Sequence, residues 1–311
     1  MAERYDTVII GSGPAGLSAS IYARRAHLRA VTVEREYDGT GQIADSERVD
    51  NYPGLYGESG YDLGEKFRSH ALALGASFLT GEVTALTPTA DGYTVSLADG
   101  TTLSARTVLY AAGARPRRLD IPGEETYRGR GVSYCAVCDA AFYRGRDVAV
   151  VGGGDTALQD ALLLAKGARS VTLIHRRAEF RAHRALQEAV RGTANIRLLL
   201  NAVPVAITGD KKVQALTVRQ DGVEQTLPLD GVFVAVGMQP NSALLQGLAA
   251  LDERGYVCAG EDGVTSAPGL FAAGDVRQKP LRQVVTAAAD GACCIQSIER
   301  YLEKQEGGDP T

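Results

Sequence analysis

Apolar runs separated by a glycine-rich turn and an amphipathic stretch open the chain. Residues 5–10 (YDTVII) form a short run rich in β-branched side chains, which predicts a buried strand. A glycine-rich turn follows, and the amphipathic pattern of residues 17–26 predicts a helix. A second apolar run, residues 30–33, ends at Glu34. This order of strand, turn, helix and strand predicts a βαβ unit.

The turn in this unit matches the GxGxxG fingerprint of dinucleotide-binding folds. Its first glycine permits a tight turn, its second lets the backbone approach a pyrophosphate, and its third lets the helix pack on the strand. Glu34 lies 23 residues after Gly11, where an acid accepts a hydrogen bond from a ribose hydroxyl. A glycine-rich turn without a ligand is the alternative, but the flanking strands and the acid favour a binding loop formed by Gly11, Ser12, Gly13, Pro14, Ala15 and Gly16.

The same pattern recurs 141 residues later, around the turn GGGDTA. Residues 147–151 predict a strand, 158–166 a helix and 171–174 the next strand. Where the first copy has its acid, the second has a basic run, whose guanidinium groups offer paired donors to a 2′-phosphate that an acid would repel. The second site is therefore predicted to prefer NADPH to NADH, with a solvated basic loop as the alternative. Its candidate residues are Gly152, Gly154, Asp155, Thr156, His175, Arg176, Arg177 and Arg181.

Composition and charge exclude several classes of function. The 311 residues suffice for two domains, each with its own core. A formal net charge of −4 leaves no basic surface to hold nucleic acid. No apolar stretch reaches the roughly 18 residues of a membrane span, and Asp6 interrupts the N-terminal region, so we expect no signal peptide. These observations predict a cytoplasmic protein that binds neither nucleic acid nor membrane.

Cys135 and Cys138 form the only CxxC pair among the five cysteines. In a reducing compartment such a pair indicates catalysis or metal binding, and CxxC spacing permits a small redox-active disulfide loop. A zinc site would need two further ligands, which neither the distant cysteines nor the four histidines supply nearby, so we expect no metal. Two unreactive core cysteines are another alternative. Asp139 follows directly, either as a turn or helix-cap residue or as the proton donor to a departing thiolate.

Shorter patterns complete the chain. Residues 93–103 alternate as a hairpin with Asp99-Gly100 at its turn, and residues 107–113 form a buried strand. A Pro- and Arg-rich connector follows from Arg115, and residues 239–241 (QPN) are a plausible second linker. The tail has a strand ending in Gly-Asp within residues 269–276 and an apolar helix over residues 284–301.

Ordered motifs run along essentially the whole chain. They are GSGPAG at 11–16, GQI at 41–43, DNYPG at 50–54, AAGARP at 111–116, GRGVSYCAVCD at 129–139, GGGDTA at 152–157, HRRAEFR at 175–181, VGMQPN at 236–241, GLFAAGDV at 269–276 and RQVVTAA at 282–288. In this order they resemble the low-molecular-weight thioredoxin reductases. The resemblance implies an α/β protein with two Rossmann-like, three-layer ββα domains. It implies FAD at the first site and NADPH at the second.

The resemblance also implies the domain organisation and the rest of the flavin site. The FAD domain is expected at residues 1–116 and 246–311, with the NADPH domain and its CxxC pair inserted at 117–245. In the larger disulfide reductases the cysteines lie instead in the FAD domain. Asp275 is expected on the ribityl chain of the flavin, and the other FAD candidates beyond the first loop are Glu34, Gly41, Gln42, Asn51, Val83, Ala112, Gly113, Gly274, Arg282, Gln283 and Val284.

The same resemblance implies a mechanism and a partner. Cys138 is expected to face the flavin, Cys135 to attack the disulfide of thioredoxin or a thioredoxin-like protein, and Asp139 to handle the proton. Cofactor and dithiol belong to the same inserted domain and need the same flavin face in turn, so we expect a domain rotation about residues near 116–120 and 241–246. A homodimer is expected on the resemblance alone.

Three other functions remain open from the sequence. A flavin-dependent oxidase of a small-molecule dithiol would not need the basic run. A ferredoxin- or flavodoxin-linked NADP reductase would lack CxxC. A redox sensor would bind NADPH and a protein partner without consuming NADPH rapidly. Thr40, Ala140 and Ala289 depart from the glycines common at these positions in the family, which bears on the flavin environment because alanine disfavours positive φ.

Overall fold

A computed structural model describes residues 4–36, 39–46 and 48–306 of the chain. The strands are β1 Arg4–Ile10, β2 Ala30–Glu34, β3 Ser77–Thr80, β4 Val83–Thr89, β5 Gly92–Leu97, β6 Thr102–Tyr110, β7 Ala114–Pro116, β8 Val132–Ser133, β9 Asp147–Val151, β10 Ser170–His175, β11 Ile196–Leu200, β12 Ala202–Gly209, β13 Val213–Gln220, β14 Val223–Pro228, β15 Gly231–Val234, β16 Met238–Pro240 and β17 Leu270–Ala272. The α-helices are α1 Pro14–Arg25, α2 Gly60–Ala73, α3 Ala136–Asp139, α4 Asp155–Ala165, α5 Arg184–Gly192 and α6 Val284–Glu306. Short 3₁₀ turns span Gly41–Asp45, Ala140–Tyr143, Ala243–Leu245 and Gly274–Val276.

Contacts divide the chain into two compact units. The first unit runs to Arg115 and resumes at Gln239, and the second is Pro116–Met238. The first boundary lies one residue before the expected end of the FAD domain at 116, and the second lies seven residues before its expected resumption at 246. At these boundaries β7 and β16 pair as a two-stranded sheet, so the chain passes between the units through two adjacent connections.

The first unit is built on a sheet in the order β3-β2-β1-β6-β5-β4. Strands β1, β2, β3 and β6 are parallel, whereas β4, β5 and β6 form an antiparallel meander. Strand β17 pairs in parallel with the C-terminal end of β6, from Val108 to Tyr110. The carboxyl ends of β1, β6 and β17 therefore meet at one edge, where ligands bind in open parallel sheets.

Strand β1 shows how the period-two pattern divides the core of this unit. Ile9 packs with residues of α1 and α6, whereas Val8 and Ile10 pack with β2 and the β4–β5 hairpin on the opposite face. Since alternate side chains of a strand point to opposite faces, a strand buried on both sides must be apolar throughout. This confirms the buried strand predicted from residues 5–10.

The second unit repeats this architecture on a parallel sheet in the order β11-β10-β9-β15-β8. Val148 and Val150 of β9 pack against α4, while Ala149 and Val151 face the antiparallel sheet β12-β13-β14. In the second unit, helices, a parallel sheet and a smaller antiparallel sheet thus form three layers. In the first unit, the antiparallel strands β4 and β5 continue the main sheet from β6. Both units confirm the predicted α/β class. No helix in the described part of the chain is long and apolar enough to cross a membrane.

Candidate active site

The first glycine loop joins β1 to α1 and leaves no room for side chains at two of its glycines. Gly11 has φ +99°, and a Cβ there would lie 2.6 Å from the carbonyl oxygen of Ala111. A Cβ at Gly16 would lie 1.8 Å from the oxygen of Gly11, so the helix packs directly on the turn. At Gly13 the nearest atom would be 3.9 Å away. The described residues do not fill the space beside Gly13, which leaves the N-terminus of α1 open to an anionic ligand.

Glu34 ends β2 beside this loop and is fixed by it. The carboxylate accepts the backbone N–H of Ser12 at 2.8 Å and lies 2.9 Å from the Ser12 hydroxyl. It also accepts the N–H of Arg35 at 2.8 Å. Ser12 is fully buried, so its side chain orients the acid from within the protein. The geometry fits an acid held ready for a ribose hydroxyl, as predicted for this position.

Asp275 lies in the turn that follows β17. Its Oδ1 atom is buried and has no hydrogen-bond partner among the residues that the structure describes. Burial raises the pKa of the Asp275 carboxyl, although the charges of Lys279 and Arg282 oppose the shift. Because buried carboxylate oxygens are normally hydrogen-bonded, this atom has room for a donor that the described residues do not supply. A hydroxyl of a bound ribityl chain would supply one, so the residues here fit a flavin.

A buried ion network behind this turn was not predicted from the sequence. Asp290 of α6 accepts the N–H of Gly274 at 2.8 Å, the guanidinium of Arg277 at 2.7 and 2.9 Å, and the ammonium of Lys279 at 2.7 Å. These three side chains are only 3–4% exposed. Burial opposes ionisation, but the hydrogen bonds from Arg277 and Lys279 hold the pKa of Asp290 below its ordinary value. The available signal was an acid in the middle of the apolar run at residues 284–295.

The structure brings several other flavin candidates together around these two turns. A Cβ at Gly41, which has φ +75°, would lie 2.9 Å from the Cα of Gly13. A Cβ at Gly274 would lie 3.0 Å from the Cβ of Ala15. Asn51 donates to Gln283 at 2.8 Å.

The remaining flavin candidates lie near the same sheet edge or in β4. The Arg282 guanidinium lies 4.1 Å over the ring of Tyr256, and Gln42 donates to the carbonyl of Ala114. The carbonyls of Ala112 and Gly113 accept from the Asn241 side chain and backbone respectively, Val284 begins α6, and Val83 begins β4.

In the second glycine loop, as in the first, some glycines leave no room for a side chain and one faces open space. A Cβ at Gly152 would lie 2.4 Å from the oxygen of Ala235, and one at Gly153 would lie 2.1 Å from Nδ1 of His175. At Gly154, the N-cap of α4, a Cβ would meet no atom of the described residues within 4 Å. Gly153 was not among the predicted site residues, because only the folded position of His175 reveals why it must be glycine.

His175 and the arginines that follow it play different structural parts. The His175 ring is buried and stacks on Phe180 at 5.5 Å. Burial and the neighbouring arginines lower the pKa of His175, against a hydrogen bond to the Glu179 carbonyl, so the ring supports the loop in its neutral form. The three arginines of this run, Arg176, Arg177 and Arg181, are exposed. The backbone N–H of Arg181 also donates to the carbonyl of Gly153 at 2.9 Å.

Asp155 and Thr156 begin the helix of the second loop. The Asp155 carboxylate accepts the backbone N–H of His183 at 2.8 Å and lies 2.7 Å from its Nδ1. The first turn of α4 is thus tied to the segment that follows the basic run. No pattern in the sequence pointed to His183.

Cys135 and Cys138 form a disulfide at the start of α3. The Cys135 sulfur accepts the backbone N–H of Cys138 at 3.2 Å. Buried Ser133 organises the loop, because its hydroxyl donates to the Asp139 carboxylate at 2.5 Å and accepts the N–H of Cys135 at 3.1 Å. Ser133 was not foreseen from the sequence. Cys258, Cys293 and Cys294 are free, and the described residues include no group of three or more acids, histidines or cysteines that could hold a metal ion.

Residues 5–291 match the model of the family described as "Pyridine nucleotide-disulphide oxidoreductase". The chain belongs to this family. Two curated relatives, both named thioredoxin reductase, come from Listeria monocytogenes and Listeria innocua, with 41% and 42% identity over 303 residues, covering 96% of this chain and 94% of each relative. The crystal structure of thioredoxin reductase from Streptococcus pyogenes is 38% identical, with a TM-score of 0.91, and covers 98% of this chain and 100% of its own.

Family membership confirms the expected cofactors. Thioredoxin reductases of the pyridine nucleotide-disulphide oxidoreductase family use FAD and NADPH. Two bound dinucleotides fit the open N-termini of α1 and α4 and the Asp275 oxygen, which has no partner among the described residues. The assignment of each individual residue to one cofactor stays a prediction.

Proposed function

We propose that the chain is an NADPH-dependent thioredoxin-disulfide reductase, with FAD in the first unit and NADPH in the second. The observation that carries the proposal is the Cys135–Cys138 disulfide, which lies in the same unit as the glycine loop flanked by exposed arginines. The names of the relatives support thioredoxin as the partner. We further propose that the enzyme is a cytoplasmic homodimer, as the family resemblance implies.

We propose that the cysteine pair is reduced once and reoxidised once in each turnover. FAD, when bound, would supply the transfer of two electrons from NADPH to the disulfide, whose S–S bond would break to give reduced Cys135 and Cys138. The Cys135 thiolate attacks one sulfur of the thioredoxin disulfide, which forms a mixed disulfide and releases one thioredoxin thiolate. The Cys138 thiolate then attacks Cys135, which releases the second thiolate and restores the intramolecular disulfide. Asp139 holds the proton that a departing thiolate takes up.

Two features of the loop favour this division between the cysteines. The N–H of Cys138 points at the Cys135 sulfur and stabilises negative charge on it, as suits an attacking thiolate. Asp139 is held by Ser133, which also contacts the Cys135 backbone, so the acid stays close to the exchanging sulfurs.

We also propose a rotation of the second unit relative to the first during turnover. The dithiol and the NADPH loop belong to one unit, and both must reach the same flavin. The pivots would be the two connections, which we expect near residues 116–120 and 241–246.

Cys135→Ser tests the proposed function. Cys138 alone cannot reduce thioredoxin by this route, so we expect at least a 1,000-fold loss of thioredoxin turnover while NADPH still reduces the flavin at nearly the wild-type rate, on the scale of removing a nucleophile. Stopped-flow flavin absorbance and thioredoxin-coupled NADPH oxidation measure the two steps. Loss of both activities together would contradict the division of labour. Wild-type oxidation of a small dithiol by oxygen, without thioredoxin turnover, would favour the dithiol oxidase instead.

A further inference from the structure

A buried carboxylate links the turn after the first connection to the residue that precedes the redox pair. Glu124, 3% exposed, follows the connection by a few residues. It accepts the backbone N–H groups of Leu119 at 2.9 Å and Asp120 at 2.8 Å, and the hydroxyl of Tyr134 at 2.8 Å. All of these residues belong to the second unit. One side chain thus joins the turn at 119–120 to the residue before Cys135.

The segment around Glu124 is firmly anchored. Asp120 has φ +56°, a left-handed conformation that few side chains adopt and that the hydrogen bond to Glu124 holds in place. A Cβ at Gly123 would lie 2.0 Å from the oxygen of Ile207, and the N–H of Ile207 donates to Pro122 at 2.9 Å. The turn therefore sits directly on β12. Glu124 is a fixed point from which a neighbouring segment can be positioned.

Tyr134 carries this support to the redox loop. Its ring packs on the core cluster around β12 and β13, and burial together with the hydrogen bond to Glu124 raises the pKa of Tyr134, so the hydroxyl stays a donor. On one side of Tyr134 is Ser133, which holds the Cys135 N–H and Asp139, and on the other is Cys135 itself. The N-terminal arm of the CxxC loop is therefore held through both a backbone and a side-chain contact.

We infer that Glu124 is a positioning residue for the redox pair, acting through Tyr134. A disulfide between two held thiols is favoured because each sulfur meets the other at a high effective concentration. If the arm before Cys135 loosens, that concentration falls and the dithiol becomes more favourable. The inference rests on the proposed redox exchange of Cys135 and Cys138.

Tyr134→Phe in the FAD-loaded protein tests this inference, because it removes the hydroxyl and keeps the ring. We expect the disulfide–dithiol equilibrium of the pair in dithiothreitol redox buffers to shift about three- to tenfold toward the dithiol, or about 15–30 mV. Alkylation of the trapped thiols followed by mass spectrometry measures the shift. Tyr127→Phe is the matched control, since that buried tyrosine donates to the Gly209 carbonyl at 2.7 Å in the same unit and should leave the equilibrium unchanged.

Glu124→Gln provides the second arm. A neutral amide is a weaker acceptor than a carboxylate, so we expect a shift in the same direction. In the Glu124→Gln background, Tyr134→Phe should add less than it does alone, because the two groups act through one hydrogen bond. Equal effects of Tyr134→Phe and Tyr127→Phe, or strictly additive effects of the first pair, would overturn the inference. A wild-type pair that titrates in the buffers but is never reduced by NADPH would instead overturn the proposed function.

Discussion

At the scale of single residues, the structure separates groups that would contact a ligand from groups that hold those in place. In the part of the chain that the structure describes, one oxygen of Asp275 has no hydrogen-bond partner. Asp290 instead accepts hydrogen bonds from the protein and fixes the turn at Gly274. A buried ion pair adds little to stability when it replaces a well-packed apolar contact, but removing one partner leaves the others unpaired. The network is therefore a sensitive point of the first unit.

Asp290→Asn tests this role. It removes the carboxylate that pairs with Lys279 and leaves Arg277 with the exposed carboxylate of Glu261. We therefore expect a loss of about 3 kcal/mol in the free energy of unfolding at pH 7, together with weaker FAD retention. The pKa of Asp290 is depressed in the fold, so its stabilisation is complete above the unfolded carboxyl value of about 4 and is lost as the pH falls through the folded one. The difference between the variant and the wild type should therefore narrow at low pH.

Urea unfolding of the FAD-free protein at several pH values, and flavin fluorescence on dilution, measure both effects. Glu261→Gln is the control, since the Glu261 carboxylate also lies 3.3 Å from Arg277 but is 87% exposed. It should change stability by less than about 1 kcal/mol. Equal behaviour of the two variants would contradict the role of Asp290.

Much of each glycine loop could be predicted from the sequence, whereas its supports could not. Gly11 and Glu34 follow a local pattern with a fixed spacing, because the βαβ unit sets their separation along the chain. The structural roles of Ser133, Glu124 and Gly153 depend on partner residues that only the folded chain brings close. Serine, glutamate and glycine at such positions read equally well as ordinary loop residues.

At the scale of elements, the departures from the family's glycines cause no backbone strain. Ala140 has φ −53° and ψ −33°, and Ala289 lies within α6, so both are in helical conformation. Thr40, which precedes Gly41, is buried, and its side chain lies against α2. A Cβ at Gly64 of α2 would lie 2.4 Å from Thr40 Oγ1 and 2.7 Å from Thr40 Cβ. The threonine at position 40 thus occupies space that the glycine at position 64 leaves free.

Gly64→Ala tests this matched pair. Alanine gains about 1 kcal/mol over glycine inside a helix, but overpacking against Thr40 costs about 1–3 kcal/mol, so we expect net destabilisation of up to about 2 kcal/mol. In the Thr40→Gly background the same change should become neutral or stabilising. Thermal unfolding of the four proteins measures the coupling. Gly192→Ala, at the end of α5 with nothing within 4 Å, should show no penalty. Additive effects at 40 and 64 would contradict the contact.

The elements themselves were largely predictable. The strand, turn and helix of both units appear as expected, and the hairpin turns at Asp99, whose side chain accepts the N–H of Thr101 at 2.8 Å. The pairing of β7 with β16 was not predicted, because it joins residues more than 120 positions apart and each strand has only three residues. Short strands carry too little pattern to reveal a distant partner.

At the scale of the whole molecule, two units of the same architecture carry unlike binding loops. The first pairs its loop with an acid and a buried carboxylate, and the second pairs its loop with exposed arginines and a disulfide. A duplicated fold thus distributes the flavin, the nicotinamide donor and the exchanging sulfurs over one chain. The account depends on electrons passing between all three.

Anaerobic titration of the purified, FAD-loaded protein tests this central claim most directly. NADPH should bleach the flavin absorbance and convert Cys135 and Cys138 to two alkylatable thiols, and NADH at the same concentration should do so far more slowly because it lacks the phosphate that Arg176 and Arg177 would bind. A protein that binds no flavin after reconstitution, or whose disulfide stays oxidised under excess NADPH, would contradict it.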